Sequence, residues 1–156
     1  MRRRGVLLSL ALCCATAVDL GAQRPIRVQG TRALSFGTIL PGVRRSVART
    51  DPVNTGLFDI RAVRFSQLQL IFTLPSAMRG PGGATLPLNF SGNDGGFSTR
   101  RSRRNQVGFD PRAPFLASMG PRNRATVFLG GTANPRTSQR AGAYTGTVSL
   151  TVVYLP

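Results

Sequence analysis

Residues 144–154, Y-T-G-T-V-S-L-T-V-V-Y, are the stretch that decides the fold. From Tyr144 to Tyr154 the even positions carry glycine, aromatic or aliphatic residues, whereas most odd positions carry threonine or serine. Successive side chains of a β-strand point to opposite faces, but a helix would mix these two sets within two turns. The stretch therefore predicts one long strand, from Tyr144 to Tyr154, with one face on a hydrophobic core.

The same alternation recurs upstream, between breaks rich in glycine and proline that are spaced about eight to twelve residues apart. One further predicted strand begins with Leu34 and Phe36 and is closed by the segment 40–42. The other predicted strands span 43–49, 58–62, 67–74, 84–90, 115–118 and 124–129. Residues 91–112 break the pattern, and their Gly-rich run 91–96 predicts a turn. The chain is therefore predicted to be all-β, with a single immunoglobulin-like or pilin-like antiparallel β-sandwich of about eight or nine strands.

The first residues have the three parts of a secretion signal. Arg2, Arg3 and Arg4 are followed by an uncharged, mostly apolar run of fourteen residues, 5–18, and then by small residues. Such a run is too short for a membrane-spanning helix, which needs about 20 residues, and no later stretch is longer. We expect a cleaved signal at 1–22, with cleavage between Ala22 and Gln23, and a β-sandwich domain at 23–156. Cleavage after Ala17 is the alternative.

This signal predicts an exported protein, located in the periplasm, at the cell surface or outside the cell, without a transmembrane segment in its mature chain. Cys13 and Cys14 both lie within the signal, so the mature domain would contain no disulfide. Packing and strand pairing alone must then stabilise it.

The charge of the chain is strongly positive and comes from arginine alone. All 21 basic residues are Arg, and removal of the signal leaves 18 Arg and four Asp, a net charge of +14. Such a field attracts polyanions, which for an exported protein means anionic envelope polymers rather than nucleic acid. A GC-rich genome would produce the same arginine excess without a functional reason, and both explanations stay open.

The residues that most often perform catalysis are missing. The chain has no His, Lys or Glu, so general acid–base chemistry and metal binding would depend on isolated Asp residues. Asp51 and Asp110 each precede a proline and are predicted to form turns. We therefore expect no enzyme, no catalytic residue, no cofactor and no metal. A hydrolase that pairs Asp51 with Asp59 is the remaining enzymatic alternative.

A cluster of four arginines follows the Gly-rich run: Arg100, Arg101, Arg103 and Arg104. It is the candidate anion-facing loop. The cluster lacks the interleaved aromatic residues of a surface that stacks nucleic-acid bases. An ordinary solvated loop is the alternative interpretation.

Two motifs resemble a family of exported bacterial proteins, domain of unknown function 4402. They are the segment 34–42, L-S-F-G-T-I-L-P-G, and the pattern G-x-Y-x-G-x-V-x-L-x-V-x-Y from Gly142 to Tyr154. Residues 58–62 and 71–75 are similar to the family's middle strands, although Ala62 replaces the usual glycine. The resemblance implies a signal peptide followed by one β-sandwich, and no established enzyme activity.

The last strand also resembles, more faintly, that of the chaperone–usher pilins. Gly142 and Tyr154 lie twelve residues apart, as the glycine and tyrosine of pilins do. In pilins the N-terminal extension of the next subunit completes the sandwich. The resemblance implies that Gly142, Tyr144 and Tyr154 are assembly positions and that residues 24–29 act as a donor strand. Alternatively, the last strand closes its own sandwich.

These observations lead to two functional hypotheses. The first is a non-enzymatic, fimbrial-like surface or periplasmic component that acts in structure or adhesion, with itself or other envelope subunits as partners through strand addition. The second is a soluble envelope module that binds anionic polysaccharide or lipopolysaccharide through the arginine loop.

The signal gives a direct prediction for the exported protein. We expect its N-terminus to be Gln23, because the small residue Ala22 satisfies the rule for the cleavage site. N-terminal sequencing or an intact mass of the secreted product measures this, and retention of Met1 would contradict it.

Overall fold

The computed structural model describes residues 25–100 and 102–156. The predicted signal, with Ala22 and Gln23, and the loop residue Arg101 lie outside the described residues.

The described chain folds into twelve strands and one short 3₁₀ turn, Pro81–Gly83. The strands are β1 Arg27–Arg32, β2 Arg45–Val47, β3 Gly56–Arg61, β4 Gln67–Thr73, β5 Ala77–Arg79, β6 Thr85–Asn89, β7 Gly95–Ser98, β8 Val107–Phe109, β9 Phe115–Ser118, β10 Arg124–Leu129, β11 Gly131–Ala133 and β12 Ser149–Tyr154.

Every strand pairing is antiparallel, and the strands form three sheets. Their orders are β1-β3-β10-β7-β8, β2-β11-β6-β5 and β12-β4-β9. The predicted all-β antiparallel fold is confirmed, and the arrangement is consistent with a β-sandwich. The predicted strand number is too low, because several strands of three or four residues have no alternating pattern long enough to recognise.

The main core lies between the five-stranded and three-stranded sheets. Ile60 of β3 and Val127 of β10 pack with Leu68 and Leu70 of β4, and none of these four is more than 1% exposed. Fully burying a large aliphatic side chain contributes about 1.5–3 kcal/mol, so this cluster is a principal source of stability. Aromatic rings extend it at one side, where Phe109 stacks on Phe115 with centroids 4.2 Å apart.

A second, smaller core lies against the four-stranded sheet and contains Phe36, Val47, Leu86 and Ala133. The chain reaches it by passing from β10 to β11 through a single residue, Gly130. Such a change of sheet within one extended segment is a known way to make a corner of a sandwich.

The terminal strand is shorter than predicted, since β12 begins at Ser149 rather than at Tyr144. Its partner β4 ends at Thr73, opposite Ser149, and Pro75 has no N–H with which to extend the ladder. Thr145 instead exchanges two backbone hydrogen bonds with Arg79 of β5, of 2.7 and 2.9 Å. Within β12 the predicted alternation is confirmed, because the even positions are half-buried and the odd ones are exposed.

Two other expectations are wrong. Residues 34–36 form no strand, because Leu34 and Phe36 pack on the second core while Ser35 N donates to Asn54 O of a neighbouring loop at 2.9 Å. The expected turn at 91–96 ends early, since Gly95 and Gly96 begin the fully buried strand β7.

Close packing explains Gly95 at the start of β7. A Cβ atom on Gly95 would lie 2.6 Å from the ring of Phe109, so only glycine lets β8 approach at this point. Gly95 therefore reflects a close approach inside the fold rather than a turn.

The described residues contain no helix that is both long and apolar enough to cross a membrane.

Gly130 offers a test of this architecture. A Cβ atom there would lie 2.8 Å from Arg49 N and also contact Val47 O, and backbone atoms of a paired strand have little room to move. We expect Gly130→Ala to lower the free energy of unfolding by about 1–3 kcal/mol, as measured by chemical denaturation.

Gly92→Ala is the matched control, because its new Cβ would meet nothing closer than Asp110 Oδ2 at 3.7 Å. The control should change stability by less than about 0.5 kcal/mol. Equal stabilities of the two variants would contradict the position of Gly130 between the sheets.

Candidate functional site

Tyr154, one of the expected assembly positions, is bound to its own domain. Its ring packs against the main core, and its hydroxyl accepts a hydrogen bond of 3.0 Å from Val63 N. The last strand thus contributes directly to the closure of its own sandwich, on the β4 side.

Gly142 and Tyr144 lie elsewhere, beside the second core. The Tyr144 hydroxyl accepts from Gln139 Nε2 and donates to Arg140 O, both at 2.7 Å. Gly142 has φ of +143° and sits against the ring of Pro81, which leaves no room for a Cβ. Gly142 and Tyr154 therefore do not share one strand, and the pilin-like expectation for this segment is wrong in that respect.

The expected donor segment is also used within the chain. Residues 27–29 belong to β1, which pairs with β3 in register, for example Val28 opposite Ile60. Arg24 lies outside the described residues. The N-terminal segment hence completes its own five-stranded sheet on one side, and the outer edge of β1 has no strand beside it in the described chain.

An apolar groove of about 460 Å³ runs along that outer edge. One wall is the end of β1 at residues 30–32, and the other is the segment 146–148, which belongs to no strand. Its floor is lined by side chains of both cores, among them Phe36, Phe58, Met78, Leu88, Phe90 and Leu129.

Arg32 lines the groove and is bound to its own domain. Its guanidinium turns back to its own domain, where Nε donates to Thr55 O at 2.9 Å and Nη1 donates to Pro52 O at 2.8 Å. A bulge between Gly30 and Arg32 shifts the register of β1 here, and the wall of the groove begins at this bulge.

The three described loop arginines, Arg100, Arg103 and Arg104, have different surroundings. Arg100 lines a large open cleft at the other end of the five-stranded sheet, together with arginines of β1, β3 and β10. Arg103 instead donates through Nη2 to Pro52 O at 3.1 Å, and Arg104 is exposed. Arg101 is not described. The arginines beside Arg100 in this cleft come from distant parts of the chain, and the anion-facing loop stays a prediction from the sequence.

Each of the four described aspartates accepts hydrogen bonds within the fold. Asp51 Oδ1 accepts from Val53 N and Asn54 N, both at 2.8 Å, and these bonds lower the pKa of Asp51. The guanidinium of Arg112 lowers the pKa of Asp110 to about 2 through its hydrogen bonds. The predicted turn-forming roles of Asp51 and Asp110 are confirmed.

The other two aspartates make separate contacts. Asp94 Oδ2 accepts from Ser91 N at 2.6 Å, and Asp59 Oδ1 accepts from Thr126 Oγ1 at 2.9 Å. The hydrogen bonds of Asp51 lie within its own turn, whereas the hydrogen bond of Asp59 joins β3 to β10. None of these bonds pairs the two carboxylates, as the hydrolase alternative requires.

No protein-family model matches this chain, and no curated protein matches it either. The resemblance to domain of unknown function 4402 and to the pilins therefore stays a prediction from the motifs.

Tyr144 provides a test of the terminal segment. Tyr144→Phe removes two hydrogen bonds to the loop 136–142. We therefore expect the free energy of unfolding to fall by about 1–2 kcal/mol, and amide hydrogen exchange in that loop to become faster. Hydrogen exchange with mass spectrometry measures both.

Tyr154→Phe is the control, because its hydroxyl contacts Val63 at a distant point. This second variant should leave exchange in 136–142 unchanged. Unchanged exchange in Tyr144→Phe as well would show that the hydroxyl does not anchor the loop.

Proposed function

We propose that this protein is a non-enzymatic, exported β-sandwich that acts as a fimbrial-like structural or adhesion component of the cell surface or periplasm. The observation that carries the proposal is the apolar groove between the outer edge of β1 and the segment 146–148. In this role the chain accepts an extended strand from another subunit, either a second copy or another envelope protein.

The edge of β1 supplies the backbone part of such an interaction. An edge strand presents N–H and C=O groups without strand partners, and these form ladder hydrogen bonds with an added strand. Arg32, which lines the groove at the end of this edge, is held by carbonyls of its own domain.

The groove supplies the side-chain part. Alternate residues of an added strand point to one face, so apolar side chains at every second position would enter the groove. There they would contact Phe58, Phe90 and Val148, and water would leave this apolar surface.

The composition supports a role without catalysis. Residues 23–156 have no His, Lys, Glu or Cys, and each described aspartate takes part in a local contact. The secretion signal predicted at 1–22 supports the location outside the cytoplasm.

Site-specific photo-crosslinking in the producing cell tests the acceptor role. We expect a photoreactive residue in place of Thr31, in the groove wall, to yield an adduct whose partner peptide has alternating apolar residues. The same probe in place of Thr151, on the exposed face of β12, is the control and should not give this adduct.

A substitution in the groove completes the test. Val148→Arg places a charge in the apolar groove and should abolish the adduct at position 31, whereas Val153→Arg, at a 40% exposed position of β12, should preserve it. Absence of any strand-like adduct, or its persistence in Val148→Arg, would refute strand acceptance at this groove.

A further inference from the structure

A second surface lies at the opposite end of β3, where an open cleft of about 1310 Å³ adjoins the last residue of the strand, Arg61. Such a volume exceeds the usual size of a small-molecule pocket, which is about 300–1000 Å³. Six of the described arginines line it: Arg27, Arg61, Arg64, Arg100, Arg122 and Arg124.

Three of these arginines stand directly opposite one another on adjacent strands. Arg61 of β3 pairs in register with Arg27 of β1 on one side and with Arg124 of β10 on the other. Neighbouring strands are about 4.8 Å apart, so the row places three cations close together, and like charges in directly opposed positions destabilise a sheet. A bound anion would remove this repulsion.

Among the described residues, one carboxylate, that of Asp59, lies beside the row. None of the six guanidinium groups lies within 4.0 Å of a carboxylate oxygen in the part of the chain that the structure describes. Asp59 lies on the same face, where it lines a smaller recess together with all three arginines of the row, and its Oδ1 accepts from Thr126 Oγ1. One carboxylate therefore stands against the six arginines of the cleft. The cleft thus keeps a large positive excess.

An exposed aromatic ring lies in the same cleft. Phe65 is 72% exposed and has φ of +60°, a conformation that bulky residues rarely adopt. Its turn is held by Ser66 Oγ donating to Val63 O at 2.7 Å, and Phe65 N donates to Gly120 O at 3.4 Å. Strained backbone conformations persist only where the surrounding structure enforces them, and they cluster at active sites and ligand-binding sites.

We propose that this cleft binds a linear anionic polysaccharide. Arg27, Arg61 and Arg124 bind successive sulfate, phosphate or carboxylate groups, since the guanidinium fork matches these anions with two hydrogen bonds. Phe65 stacks on the apolar C–H face of a sugar ring. The inference goes beyond strand acceptance, because the cleft and the groove lie at opposite ends of β3 and use different residues.

The arrangement favours a polysaccharide over a single-stranded nucleic acid. Nucleic acids without duplex structure are bound by several aromatic rings on which successive bases stack, whereas Phe65 is the one aromatic ring lining this cleft. The concave shape also suits a chain better than a flat membrane surface.

Equilibrium binding of the protein to fluorescent heparin and polygalacturonate, measured over a range of salt concentrations, tests the proposal. The triple variant Arg27→Gln/Arg61→Gln/Arg124→Gln should bind at least about tenfold more weakly and lose roughly three from the slope of log affinity against log salt. Comparing the sulfated with the carboxylated polymer identifies the preferred anion.

The matched control removes the same charge elsewhere: Arg44→Gln/Arg136→Gln/Arg140→Gln, at three exposed positions outside the cleft. Its affinity should stay within about threefold of the unaltered protein. Phe65→Ala should weaken binding while it leaves the salt slope unchanged, since it removes no charge.

Folding of the triple variant is checked by its thermal midpoint, which should equal or exceed that of the unaltered protein because the like-charge row is gone. Equal losses of affinity in the triple variant and the control would overturn the proposal, since net charge alone would then explain binding. Tighter binding to single-stranded DNA or to anionic vesicles than to either polysaccharide would overturn it as well.

Discussion

The pairing of β3 with both β1 and β10 is the constraint on which the rest of the structure depends. It places Ile60 between Val28 and Ala125, and Ile60 and Ala125 are buried in the main core together with Leu68 and Leu70 of β4. A slip of one residue would turn Ile60 toward solvent, and the core therefore holds the register. The same register brings three arginines into one row at one end of β3 and positions the wall of the groove at the other.

The two proposed sites have opposite chemistry and lie at opposite ends of the same strand. The groove is apolar and bordered by the edge of β1, which suits an added strand, whereas the cleft is cationic and open, which suits a polyanion. If subunits join through the groove, each one still presents its cleft. An assembly would then hold several clefts along one polymer, and such multivalent binding is much tighter than that of one site.

The sequence predicts local features of this fold better than it predicts the sites. The alternation of apolar and polar residues in β12 can be predicted because it depends only on one strand packing on one core. The structure confirms it at Leu150, Val152 and Tyr154, which are half-buried. The sequence predicts a turn at Gly95, whereas the structure uses this glycine for the close approach of Phe109 across the pairing of β7 with β8, which no local pattern shows. The arginine row depends on pairing between strands that begin at Arg27, Gly56 and Arg124, and no local pattern shows such a register. The arginine cluster at 100–104 is visible in the sequence. Of its described members, Arg100 alone lines the cleft.

Cross-strand nuclear Overhauser effects in the isotopically labelled protein test this register most directly. The account predicts contacts of Ile60 with Val28 and with Ala125, and contacts of Arg61 with Arg27 and with Arg124. Contacts of Val28 with Asp59 or Arg61 as its directly opposed partners would show a register shifted by one residue. That result would contradict the packing of the core and the arginine row together.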